Sequence, residues 1–246
     1  MSGNYQFDYA ARRPQMYDTK SREQKAMRMV KTLGHYFGHS KLKKLKVLDV
    51  GASTGIIDNV LAKNFDSVTG IDIDKVALDY AKTKYKRTNL KFQLGDAMKL
   101  KFKDNSFDIV ICAHVYEHVP NSQKMFLEIY RVLKPKGVCY LAAVNSLWPM
   151  EPHYDLLFLS WLPKDLANIY VRIFGKAEKY HETPRNPWQL SHMIYDLRFR
   201  IYDYTEKIIK NPEFFGYPKS WKLLFPVSFL AKYVSPTLFW LLEKYE

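Results

Sequence analysis

Acidic residues and glycines stand at the ends of short apolar runs, and their spacing suggests a nucleotide-like ligand. Val47-Leu48-Asp49-Val50-Gly51-Ala52-Ser53-Thr54-Gly55 reads as a buried strand that ends in a Gly-flanked turn and opens a helix. Glycines at 51 and 55 allow a sharp turn and a close backbone approach to a ligand, while the helix N-terminus offers free amides. A second run, Val68-Thr69-Gly70-Ile71-Asp72, follows at ~20 residues and ends in a carboxylate placed to accept both hydroxyls of a ribose. A third, Leu94-Gly95-Asp96-Ala97, brings another acid to the same sheet edge, where it could accept from an adenine amine. A dinucleotide turn would want glycines at 51, 53 and 56; the chain has Ser53 and Ile56, which argues against hydride transfer.

The elements that must position these groups follow from hydrophobic periodicity. Met27, Val30, Leu33 and Phe37 recur at helical spacing and predict a covering helix. From residue 45 onward, strands at 45–50, 67–72, 90–95, 107–112 and 138–144 alternate with helices at 54–64, 75–85 and 121–133, the pattern of a parallel sheet with right-handed crossovers. Residues 146–186 break the rhythm with four prolines and a helical pattern at Leu166, Ile169, Tyr170, Ile173 and Phe174 closed by Gly175. A helix over 187–197, a strand over 199–207, an aromatic segment over 221–234 and a last apolar run, 238–242, complete the chain. One domain over 1–246 is expected, with a cofactor core at 40–145 and aromatic-rich insertions at 146–186 and 211–236.

Asn105-Ser106-Phe107-Asp108 introduces the strand ending Ile111-Cys112-Ala113-His114, and Leu133-Lys134-Pro135-Lys136-Gly137 turns into the next strand. With the three runs above, these segments resemble the class I S-adenosylmethionine (SAM) dependent methyltransferases of the group marked by an LDVGxGxG turn, GIDxS, GDAxxLPFxDxSFD, xxExxHV and LKPGG. The resemblance spans roughly residues 40 to 145. It implies a Rossmann-like α/β fold: a seven-stranded, mostly parallel sheet of order 3-2-1-4-5-7-6 with the last strand antiparallel and helices on both faces. By the same resemblance Asp49, Gly51, Ala52, Ser53 and Gly55 would hold the methionine end of SAM, Asp72 with Ile73 the ribose, Asp96 with Ala97 the adenine, and His114 would pack the cofactor or act in catalysis. Ser53 departs from the usual middle glycine and Leu100-Lys101-Phe102 from Leu-Pro-Phe, so weaker SAM binding is expected. The Glu117-His118 pair matches one common across the group, where a structural role is expected.

The acceptor is read from what the chain lacks and what covers the sheet edge. Ala113-His114-Val115-Tyr116 stands where amino-methylating base enzymes carry an Asn-Pro-Pro-Tyr clamp, and no Pro-Cys nucleophile exists for pyrimidine carbon chemistry. Methyl transfer to a small or lipid-like acceptor such as a quinone, lipid or lipid-linked sugar remains, with O-methylation favoured. His114, Tyr116 and His153 are the candidates for deprotonating a hydroxyl. Part of the insertion, from Glu151-Pro152-His153-Tyr154 to Leu162-Pro163, also resembles segments of methyltransferases associated with cell-envelope or lipid-linked glycans.

Net charge is +13 and aromatic residues make up 15% of the chain, and Trp148, Phe158, Trp161, Trp221, Phe225 and Phe229 fall in the two insertions. Both features fit peripheral contact with an anionic membrane. The charge also admits an RNA-binding protein or RNA methyltransferase, but no separate RNA module is evident and only Lys41, Lys43, Lys44 and Lys46 cluster. An inactive methyltransferase-fold scaffold is a further alternative. Cys112 and Cys139 lie inside apolar strands and read as buried reduced thiols without metal-ligand spacing, so no metal is expected and a cytoplasmic setting fits.

Overall fold

The computed structural model describes residues 7–230, 233 and 235–245; the side chains of residues 224–228, and with them Phe225, lie outside the described residues, as does Val234. Core strands are β1 (Lys46–Val50), β2 (Ser67–Asp72), β3 (Leu90–Leu94), β4 (Phe107–Ala113) and β5 (Leu133–Val144). A small hairpin of β6 (Met150–Glu151) and β7 (Leu156–Leu157) precedes β8 (Phe199–Asp203) and β9 (Thr237–Lys244). The main sheet runs β3-β2-β1-β4-β5-β9-β8, with β9 antiparallel to both neighbours and the remaining pairs parallel. Setting the hairpin aside, this is the expected order 3-2-1-4-5-7-6.

Helices are α1 (Thr19–Phe37), α2 (Ile56–Leu61), α3 (Lys75–Lys84), α4 (Ser122–Val132), α5 (Lys164–Ile173), α6 (Pro187–Asp196) and α7 (Thr205–Lys210). Their starts are written in the sequence: Asp18, Asp74 and Asn121 accept from the amides of Ser21, Ala77 and Lys124. Asn186 and Gln189 form a reciprocal capping box with Pro187 in the first turn. Strand side chains alternate between two cores, because successive residues of a strand point to opposite faces. Val47, Ile109 and Ile111 pack with Met29, Val30 and Leu33 of α1, whereas Leu48, Val110 and Cys112 pack with Phe126 of α4 and Leu190 of α6. Cys112 and Cys139 are free, buried thiols.

Four local expectations change. The strand expected over 199–207 stops at Asp203, because Asp203 accepts from the amide of Thr205 and starts α7 instead. The expected turn at 133–137 lies within β5 as an irregularity against β4, where Lys136 takes φ +62°. In α1 the inward stripe carries Arg22 while Met27 is exposed. In α5 only Ala167 and Val171 are buried, and Leu166, Ile169 and Ile173 face outward.

Candidate active site

The carboxyl ends of the core strands open on a cavity of about 720 Å3. At its first end the amides of Gly51 and Ala52 both donate to Ile71 O at 2.9 Å, so the turn after β1 is held against the end of β2. Gly51 takes φ +89°, and a Cβ there would stand 2.5 Å from Val115 Cγ2. Ser53, at φ +50°, donates its amide to Asp72 Oδ2 at 2.7 Å, while Asp74 N donates to Oδ1 at 2.9 Å. Asp72 therefore braces the turn and still has lone pairs for two hydroxyls. Burial raises its pKa and the two amides oppose that rise. Asp96, at the end of β3, accepts from Met98 N through Oδ1 at 2.8 Å.

Asp49, Gly51, Ser53, Asp72, Ile73, Asp96 and Ala97 all line the cavity; Ala52 and Gly55 do not. Gly55 instead takes φ +72° with Phe92 Cζ and Ala81 Cβ 2.6 and 2.7 Å from where its Cβ would be, and Ala52 is fully buried. These two shape the turn from behind, which corrects the expectation that they touch the cofactor.

Two groups here escaped the sequence reading. Arg22 is buried, lines the cavity and has an Nε without a hydrogen-bond partner, amid the charges of Asp49, Asp58 and Asp72. Burial, opposed by Arg22 and reinforced by Asp72, pushes Asp49 up to about 7, and burial beside the Asp49 carboxylate raises Asp58 well above the usual carboxylate range. A guanidinium next to a carboxylate is the donor–acceptor set that an amino acid's carboxylate and ammonium require, so the cleft fits the methionine end of SAM. The available signal was a cation on the apolar stripe of α1, at Arg22, Ala26, Met29 and Leu33.

The second missed element is the segment before α1, which carries no period. Its 3-10 turns, Ala10–Arg12 and Pro14–Tyr17, cross the site. Ala10 N donates to Asp74 Oδ2 at 3.0 Å, Met16 O accepts from Thr54 Oγ1 at 2.6 Å, and Arg13 Nη1 donates to His153 O at 2.8 Å.

The opposite end is built of histidines and buried acids. His114 follows β4 in the left-handed region at φ +57°, its amide donating to Ala142 O at 2.8 Å. Its side chain is 36% exposed, lines the cavity and stands 3.7 Å from fully buried Glu117 Oε1. His153 Nδ1 lies 2.7 Å from Glu151 Oε1, His118 Nδ1 lies 3.4 Å from Glu182 Oε1, and the two rings stack edge-on at 4.7 Å. Burial opposes the charged form of His153, but the hydrogen bond it donates to Glu151, with that carboxylate's charge, wins and raises its pKa. Burial likewise opposes ionisation of Glu182 and Glu117; His118 nevertheless holds Glu182 down to about 2, and His114 and His118 lower Glu117.

His114 and His153 are thus brought to one cavity, and His118 lines it as well. Tyr116 is not brought there. Its side chain is fully buried, the hydroxyl donating to Val144 O at 3.0 Å and accepting from Arg185 N at 2.7 Å, and burial lifts its pKa far above the phenol range. The expectation that Tyr116 is a catalytic base gives way to a role tying β5 to the segment entering α6.

A methyltransferase-domain family matches residues 48–141. The ubiquinone biosynthesis O-methyltransferase of Rickettsia akari is 31% identical over 176 residues, covering 68% of this chain and 68% of that protein. Among solved structures, a chain from the complex between the Haloferax volcanii Trm112 methyltransferase activator and a methyltransferase aligns over 100% of both chains with a TM-score of 0.64 at 15% identity. An S-adenosylmethionine dependent methyltransferase from Mesorhizobium loti aligns with a TM-score of 0.59 at 14% identity, over 82% of this chain and 92% of that one.

Proposed function

Because the chain belongs to the class I SAM-dependent methyltransferases, we propose that it O-methylates a hydroxyl on a small, lipid-like acceptor of the quinone-precursor kind, with His114 as general base. The observation that carries this reading is the single cavity in which the Asp49–Asp72 cleft and His114 meet. SAM, when bound, would supply a methyl group on a sulfonium: the acceptor oxygen would bond to that carbon as the carbon–sulfur bond breaks and the neutral thioether leaves. The chain's own task is to hold the donor and to take the proton of the acceptor hydroxyl. Arg22 and Asp49 would engage the methionine carboxylate and ammonium, Asp72 the ribose hydroxyls, and Asp96 with Ala97 the adenine.

Among the cavity histidines, His153 and His118 are 10% and 8% exposed and each faces a carboxylate through Nδ1, whereas His114 is the more open. Tyr140, Trp221 and Phe239 also line the cavity and suit a flat or isoprenoid-bearing acceptor. The relative's name, ubiquinone biosynthesis O-methyltransferase, supports the same acceptor class.

Leu166, Ile169 and Ile173 of α5, with Phe158 and Trp161 nearby in sequence, form an exposed apolar set on the insertion that also sends Pro152 and His153 into the cavity. Resting this set on an anionic bilayer would bring the cavity to a membrane-borne acceptor. Lys41, Lys43 and Lys44 precede the amino end of β1, whereas His114 follows the carboxyl end of its parallel neighbour β4. The basic cluster is therefore on the wrong edge to feed RNA to His114. Incubation with methyl-labelled SAM should place label in a lipid extract supplemented with a dihydroxybenzoate-type phenol, beside an RNA control. Label in RNA alone would overturn this reading.

A further inference from the structure

Three cations of α1, Arg22, Lys25 and Arg28, recur at helical spacing and line the cavity. We propose that Lys25 and Arg28 recognise an oxyanion, a carboxylate or a phosphate ester, on the end of the acceptor remote from the methylated hydroxyl. This deepens the acceptor reading above and rests on it in one respect, that the aromatic part of the cavity holds the acceptor.

The charges of the cavity are segregated. Among the described residues the acids that line it are Asp49, Asp72, Asp74 and Asp96, all at the cofactor end. Arg22 lies amid Asp49, Asp58 and Asp72 and is balanced there. Lys25 and Arg28 are not. Among the described residues neither makes an ion pair, and the Lys25 ammonium and the Arg28 Nη groups meet no hydrogen-bond acceptor. Packing around Lys25, then the like charges of Arg22 and Arg28, lower its pKa; Asp18 opposes them but is engaged by the Ser21 amide at 3.2 Å. A cleft wall of one sign concentrates ligands of the other.

Arg28 is built into this wall. Its Nε donates to Gly216 O at 3.1 Å, and its guanidinium lies 4.2 Å over the Tyr217 ring. Burial raises the phenols of Tyr140 and Tyr217, and the charge of Arg28 opposes the rise at both, so its field acts inside the aromatic part of the cavity. With Nε held, the two Nη groups remain as a paired donor edge, the geometry that grips two oxygens of one carboxylate or phosphate. Tyr140, Tyr217, Trp221 and Phe239 wall the adjoining space and suit the ring of an aryl acid. Arg28 lies about 9 Å along the helix axis from Arg22, the scale of one aryl ring with a hydroxyl at the methyl donor and an oxyanion on its far side. Lys25, exposed at the cavity rim between them, would draw the anion in.

The competing account makes both residues solvated charges, since a second, shallow depression lined by Lys20 and Glu23 also reaches Arg28. Calorimetry on the full chain saturated with S-adenosylhomocysteine, which has no methyl group to transfer, separates the two. Protocatechuate, a dihydroxybenzoate, should bind at least about tenfold tighter than its uncharged amide. Arg28→Gln should erase that preference without changing affinity for the amide, and Arg28→Lys, which keeps the charge and loses the fork, should restore only part of it. Lys25→Met should reduce the preference by about two- to fivefold, as befits an exposed charge. Lys20→Gln, which removes the same charge from an exposed position of α1, should leave it intact. The corresponding aryl phosphate tells a phosphate-bearing acceptor from a carboxylate-bearing one, and a preference for either oxyanion over the amide supports the site. S-adenosylhomocysteine titrations report that each variant is folded. Equal wild-type affinity for the amide and both oxyanions, the same preference in Arg28→Gln as in the wild type, or no binding of any probe by a chain that takes S-adenosylhomocysteine normally would overturn it. A clear oxyanion preference without methyl transfer from SAM would sink the O-methylation reading and leave the anion site standing.

Discussion

The two ends of the cavity are made in opposite ways. At the cofactor end, Asp49, Asp72 and Asp96 come from or just beyond three adjacent strands, β1, β2 and β3, and backbone amides do much of the bonding: Ser53 and Asp74 to Asp72, Met98 to Asp96. At the acceptor end, side chains meet side chains from distant segments, as Glu151 meets His153 and Glu182 meets His118. The first end is set mainly by backbone geometry at the strand ends. The second is a fully coupled polar network, in which removing one partner strands another in a dry site.

That contrast predicts separable losses. The largest is expected at the acceptor end: His114→Ala should lower turnover by about 10²-fold or more while SAM affinity stays near that of the wild type, measured by steady-state kinetics and calorimetry. A parallel fall in SAM affinity would move His114 to the cofactor side. At the cofactor end, Asp72→Ala should weaken SAM at least about tenfold, because ribose hydroxyls and the Ser53 amide all lose an acceptor worth ~1 to 3 kcal/mol when buried. Unchanged affinity would remove Asp72 from the site.

The same end should respond to pH. With Asp49 raised to about 7 in the free protein, the carboxylate is half protonated near neutrality and can pair with a ligand ammonium only when ionised. SAM affinity should therefore fall as pH drops from 8 through 7 toward 6, by up to about tenfold per unit, and Asp49→Asn should flatten the profile. A flat wild-type profile would show that Asp49 does not face the ammonium.

Smaller effects are expected away from both ends. Replacing Leu166, Ile169 and Ile173 of α5 by Ser should reduce sedimentation with anionic vesicles without changing SAM affinity, and wild-type binding should weaken in high salt. In the second insertion Trp221 is unsuited to this test, since its ring packs 4.5 Å from that of Tyr217, whereas Phe229 is exposed. A wild type that ignores vesicles at low salt would make the insertion a lid for a soluble acceptor. Smallest of all, Tyr116→Phe removes one hydrogen bond to Val144 and leaves the Arg185 amide unmatched. It should cost about 1 to 2 kcal/mol, or roughly 2–8 °C in thermal midpoint, with turnover at permissive temperature unchanged; a large loss of turnover would return Tyr116 to the catalytic set.

The sequence by itself determined the core strands and the cofactor edge, while the order of the sheet followed only from the resemblance of its motifs to the class I methyltransferases. The strands and that edge rest on short-range rules: short apolar runs, a strand ending in a glycine turn, and acids repeating at strand ends. Even Tyr116 was misplaced only because adjacency to a strand end does not reveal which way a side chain points. Tertiary structure alone decided the rest. No period marks residues 7–18, yet they cross the cavity because Asp74, Thr54 and His153 each supply a hydrogen-bond partner from elsewhere in the chain. Arg22 looked like a surface charge until α1 turned it inward among Asp49, Asp58 and Asp72. The Glu117-His118 adjacency is visible in the sequence, but its meeting with Glu151, His153 and Glu182 carries no spacing signal, because burial rewards partners that meet in space and is indifferent to their separation along the chain.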